Sequence, residues 1–110
     1  MTTARFIRRG GLIAGYEISG HAGYAEAGED IVCAAISALA QTTAIGLTEV
    51  LGLVPQIRID EKGGAMSLIL STPEGGAQVL LKTLLAGLRA IERQYPRHIR
   101  IIDRERRQRP

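Results

Sequence analysis

No tryptophan and a single phenylalanine occur among the 110 residues, so any core must be aliphatic, built from Ile, Leu, Val and Ala. One cysteine cannot form an internal disulfide and gives no sign of an oxidising compartment. Proline stands only at positions 55, 73, 96 and 110, which leaves two long stretches open to helix. No uninterrupted apolar run of about eighteen residues is present, which argues against a membrane-spanning helix. Met1–Phe6 has no apolar segment of the signal-peptide kind. A soluble, cytoplasmic chain without a membrane partner is therefore expected, of a length that suits one domain.

The net charge of +3 conceals an uneven distribution. Arg97, Arg100, Arg104, Arg106, Arg107 and Arg109 all fall within the last fourteen residues. This divides the chain into a domain over 1–103 and a basic tail over 104–110, expected to be flexible. Such a block can contact RNA or the ribosome weakly, because each neutralised phosphate releases counterions. More commonly it is a solvated tail.

Hydrophobic period supplies the elements. Thr3–Arg9 and Leu12–Ser19 flank Gly10-Gly11, a hairpin signal. Gly20–Gly28 lacks a sustained period and reads as a mobile loop. Ile31–Leu51 reads as a helix with Asp30 as its N-cap and Ile36, Leu39, Thr43, Leu47 and Val50 as its buried stripe. Gln56–Asp60 and Ala65–Ser71 flank Glu61-Lys62-Gly63-Gly64 as a second hairpin. Thr72-Pro73-Glu74 predicts the start of a second helix, running to Gln94, and His98–Asp103 one further strand. The order ββαββαβ predicts an α+β sandwich, a mainly antiparallel sheet carrying two helices on one face.

Chemistry is concentrated in Gly20–Ser37, which holds the only cysteine and one of the two histidines. If Asp30 caps the helix, Cys33 lies in its first turn, where free N–H groups and the helix dipole favour a thiolate and can receive an oxyanion. His21, twelve residues earlier, is available as its base. Ser37 lies one turn after Cys33 on the same helix face, able to hydrogen-bond a substrate carbonyl or to bond back to the helix. Each residue also has an ordinary use: Cys33 as a small buried hydrophobe, His21 as a turn residue, Asp30 as a cap, the glycines as turn formers. Cys33, His21 and His98 have no metal-ligand spacing, and no phosphate-binding glycine pattern occurs, so no metal or cofactor is expected.

Gly20-His21-Ala22, then Gly28-Glu29-Asp30-Ile31-Val32-Cys33-Ala34, then Ser37 resembles, part by part and in spacing, the signature of the ribosomal-processing cysteine proteases, the Prp family. The resemblance spans most of the chain and leaves the arginine-rich end unmatched. It implies a Cys33–His21 dyad, with Gly20, Gly23, Asp30 and Ser37 supporting or binding substrate. It also implies removal of the N-terminal extension of a bacterial large-subunit ribosomal protein, number twenty-seven, by a cut after a hydrophobic, aromatic-rich segment. A homodimer is implied as well. Two other classes compete with this expectation. One is a non-catalytic, ribosome- or RNA-associated protein using its arginine-rich C-terminus; the other is an interaction protein with an inert cysteine.

Overall fold

The structure, a computed structural model, describes residues 1–20, 27–60 and 64–105. The first hairpin is formed by strands β1 (Thr2–Arg9) and β2 (Leu12–Ser19). Its two-residue loop, Gly10-Gly11, has φ of 59° and 81°. Positive φ at both central residues gives the turn whose twist matches the strands, and glycine reaches it without a Cβ clash. The register then slips between Ile7 and Arg8, because Ile7 pairs with Gly15 and Arg8 with Ile13. Ala14 is the extra residue of this bulge. It resets the alternation, so that Ile13 joins Tyr16 and Ile18 in one core although three positions separate it from Tyr16.

Helix α1 covers Ala27–Ile45 and continues into a π-helical turn, Gly46–Val50. It starts earlier than the sequence predicts, so Asp30 is the fourth helical residue rather than the cap. Acidic residues in a first turn suit the positive end of the helix dipole without capping it. The wide π turn also corrects the predicted stripe. Val32, Ile36, Ala40, Thr43, Ala44 and Leu47 are buried and Leu39 partly so, but Val50 is 78% exposed. More residues per turn rotate Val50 away from the sheet. By composition Ile31–Val50 is long and apolar enough to cross a bilayer, a property that counting uninterrupted apolar residues misses. In this fold one face of it packs on the sheet.

Strands β3 (Gln56–Asp60) and β4 (Ala65–Ile69) form the second hairpin. Helix α2 covers Gly76–Gln94, with Gly75 at its N-cap. The expected start at Thr72-Pro73 is overturned. Leu70 N–H still donates to Ala14 O (2.8 Å), which keeps the chain extended past β4. Pro73 is buried, and its carbonyl accepts from Gln78 Nε2 (2.7 Å). The buried Gln78 amide also donates to Ile13 O (2.8 Å) and accepts from Ile13 N–H (3.1 Å), so every polar atom of this side chain is engaged and α2 is tied to the bulge.

Strand β5 (Ile99–Glu105) pairs parallel with β1, and the sheet order is β3-β4-β2-β1-β5. Three of the four strand pairs are antiparallel. Both helices contribute to one aliphatic core with Ala4, Phe6, Leu68 and Ile99, so both lie on one face of the sheet. The architecture is the α+β sandwich expected, with order ββαββαβ. The Tyr16 hydroxyl, deep in this core, donates to Ala40 O (2.7 Å), and burial pushes its titration upward. The opposite sheet face is covered by no described element.

Candidate active site

Cys33 is the seventh residue of α1, in its second turn, between the buried Val32 and Ile36. The helix points its half-buried thiol at the start of β1. There the Thr2 N–H donates to His98 O (3.0 Å), which fixes the end of the strand. The Thr2 side chain is 2% exposed, and its Oγ1 lies 2.9 Å from Cys33 Sγ. A buried hydroxyl needs an acceptor, and sulfur is the one partner it has among the described residues.

This position corrects the expectation that Cys33 has free helix N–H groups beside it. Only the first four amides of a helix lack an intrahelical acceptor, and these precede Cys33. The helix therefore cannot supply the Cys33 amide as an oxyanion donor without opening its own ladder.

Ser37, one turn on and on the same face, is exposed. Helical Thr43, Thr48 and Thr83 each donate to a carbonyl four residues back, at 2.8, 2.9 and 2.6 Å. Ser37 makes no such bond among the described residues, so its hydroxyl is available to a ligand. It lines a depression of about 180 Å³ between α1 and the β3–β4 hairpin, together with Ile18, Ala40, Ile59, Asp60 and Met66. A larger depression of about 410 Å³ opens on the other face of the sheet, away from Cys33.

Gly20 lies beside the N-terminal residue: a Cβ there would stand 2.8 Å from Met1 O. Its φ of 78° accommodates this approach. His21 and Gly23, and with them the mobile loop expected between Gly20 and the helix, lie outside the described residues. Among the described residues no three His, Cys, Asp or Glu side chains group closely enough to hold a metal ion. Sequence reasoning missed Thr2 and the depression, since contacts between distant segments leave no local signal.

Residues 1–100 match the family model described as cysteine protease Prp. The ribosomal processing cysteine protease Prp of Staphylococcus aureus is 36% identical over 95 residues, covering 83% of this chain and 87% of the relative. A solved protein of Streptococcus mutans superposes with a TM-score of 0.88 at 32% identity, covering 96% of each chain. The Staphylococcus aureus protease, solved in complex with a substrate peptide, superposes with a TM-score of 0.87 at 29% identity, over 94% of this chain and 100% of that one. Sequence and fold agree over almost the whole length, and the chain belongs to the Prp family of ribosomal-processing cysteine proteases.

Proposed function

We propose that this cysteine protease uses Cys33 as nucleophile and His21 as base to remove the N-terminal extension of large-subunit ribosomal protein number twenty-seven. The observation that carries the dyad is the convergence of three segments at the head of β1. Met1 O touches Gly20, and Thr2 touches Cys33. Gly20, the residue that precedes His21 in the sequence, thus lies at the same end of the sheet as the thiol. The relatives' names and the peptide-bound structure support the substrate class.

In the reaction, His21 takes the proton from Cys33 Sγ and the thiolate attacks the carbonyl carbon that follows the aromatic segment. The oxyanion accepts a hydrogen bond from the Ser37 hydroxyl, the unengaged donor on the same face. The C–N bond breaks as His21 returns the proton to the leaving amine. Water, deprotonated by His21, then hydrolyses the thioester. The depression beside Ser37, apolar at Ile18, Ala40, Ile59 and Met66, suits a hydrophobic side chain next to the cut.

The test is mass spectrometry of a peptide carrying that extension, incubated with the intact protein, Cys33→Ala and Ser37→Ala. One cut after the aromatic segment is expected, abolished in Cys33→Ala. Loss of an oxyanion donor lowers turnover by about 10²-fold or more, and Ser37→Ala is expected in that range. Cleavage that persists in Cys33→Ala would reject the nucleophile. No cut, together with rapid cutting of another peptide, would reject the substrate. With a ribosomal substrate, the reading also places the enzyme in the cytoplasm, which fractionation of cells checks by co-sedimentation with immature ribosomal particles.

A further inference from the structure

The sheet face away from the helices carries a charge pattern that the protease reading does not use. In the strand register, Arg5 stands level with Ile102 on β5 and Glu17 on β2, and Ser67 and Arg58 continue the same row. Thr3 stands level with Arg100, and Ile7 with Arg104. Arg5, Arg58, Arg100 and Arg104 are all exposed. None of them has an ion-pair partner among the described residues, although Glu17 is the cross-strand neighbour of Arg5. By contrast, Arg8 and Arg89 are both occupied by Asp103, at 2.7 and 3.5 Å.

We propose that this face binds the phosphodiester backbone of single-stranded RNA. Arg100 and Arg104 flank Ile102 along β5, about 13 Å apart at the strand rise, and Arg5 sits one strand spacing, about 4.8 Å, to the side. Arg5 and Arg104 border the depression of about 410 Å³, whose lining includes Ile7, Ile69, Ile102, Ser67 and Glu17, and with Arg100 both also line an adjoining depression of about 470 Å³. Cations separated by aliphatic ground match a strand in which phosphates alternate with sugars and bases. An acidic peptide has such an interval only where its sequence places one, whereas a nucleic-acid backbone repeats it at every nucleotide. Arginine's planar fork of donors suits phosphate oxygens. Among the described residues no exposed aromatic side chain lies on this face to stack bases, so recognition is of backbone charge, steep in salt and indifferent to sequence. The strand that carries Arg100 and Arg104 leads directly into Arg106, Arg107 and Arg109, which extends the basic track in sequence.

The experiment is fluorescence anisotropy of a labelled twenty-nucleotide oligouridylate, titrated with the full chain at several KCl concentrations. Each phosphate neutralised on a single strand contributes about 0.7 to the slope of log K against log salt. The combined Arg5→Gln, Arg100→Gln and Arg104→Gln variant is expected to bind at least tenfold more weakly, with a slope shallower by about 2. Its peptide cleavage should be unchanged, so failure of this proposal and failure of the protease reading are separable. If the combined variant does not fold, Arg5→Gln and Arg104→Gln singly should each lower the slope by about 0.7. A chain ending at Glu105 should retain the face-dependent part of the binding. Wild-type affinity in the face variants, or loss of all binding with the tail alone, would overturn the proposal. So would polyglutamate displacing the RNA at equal charge concentration, because the face would then be selecting carboxylates.

Discussion

Thr2 and Cys33 are 31 positions apart in sequence and share a 2.9 Å contact. The consequence belongs to the residue scale. When Cys33 attacks as a thiolate it has no proton to give, so the Thr2 hydroxyl is then the donor of the pair, an interaction comparable to one ordinary hydrogen bond of about 1 kcal/mol. Thr2→Val keeps the shape and removes the donor. Iodoacetamide alkylation of Cys33 is therefore expected to slow about fivefold near neutral pH, the factor to which that energy corresponds, while Thr2→Ser keeps the wild-type rate. Equal rates in all three proteins would show that the contact is packing alone. The candidate nucleophile is legible in the sequence because its neighbours Gly28 to Ala34 carry a motif. Thr2 is not, because nothing local distinguishes it from Thr3, whose side chain lies on the opposite face of the same strand.

At the scale of elements, pairing of hairpins was legible and helix starts were not. Gly10-Gly11 defines its turn through backbone conformations that few other residues adopt, so the sequence carries the information locally. The start of α2 is decided by Gln78, which reaches back to Ile13 and Pro73 and holds Thr72-Pro73 outside the helix. Capping residues indicate where a helix can begin, and such tertiary hydrogen bonds select among the candidates. The join between β1 and β5 has its own lock. Arg8 places Nε 2.7 Å and Nη2 3.0 Å from the two oxygens of Asp103. These bonds, reinforced by the charges of Arg8 and Arg89 and opposed by partial burial, hold the Asp103 carboxyl below its usual range. A lowered carboxyl stabilises the fold above the unfolded-state value, about pH 4, and that stability is lost as pH falls through the folded-state value. Asp103→Asn is thus expected to lower the melting temperature at pH 7, with the gap closing as pH drops below about 4. A constant gap across that range would mean that shape, rather than charge, supplies the lock.

For the whole molecule, the helix face turned away from the core matters most. Ile31 and Ile45 are 66% and 51% exposed on a helix otherwise rich in alanine, and Ala34, Ala35 and Ala38 lie exposed between them. We propose that a second copy of the chain covers this surface, as the family resemblance implies, since small side chains let two helices approach closely. Light scattering should give twice the 11.9 kDa chain mass for the intact protein and a monomer for Ala38→Glu. A dimer that survives Ala38→Glu would assign the interface elsewhere, and a monomeric intact protein would remove it. The last strand illustrates a second global decision. The segment His98–Asp103 reads as a strand by composition, yet only assembly puts it parallel to β1, at the far edge from β3. That placement is what gathers Arg100 and Arg104 beside Arg5.

Local chemistry by itself determined the element types, their order, the two hairpins, the aliphatic core and the motif around Cys33. Periodicity, glycine turns and motif spacing are properties of neighbouring residues and survive in a one-dimensional reading. Tertiary structure decided the strand order, the bulge at Ala14, the outward turn of Val50, the true helix starts, the Thr2 hydroxyl at the thiol and the basic face of the sheet. Each depends on which distant segments come within a few ångströms of one another, and those contacts form only when burial of a shared core brings them together.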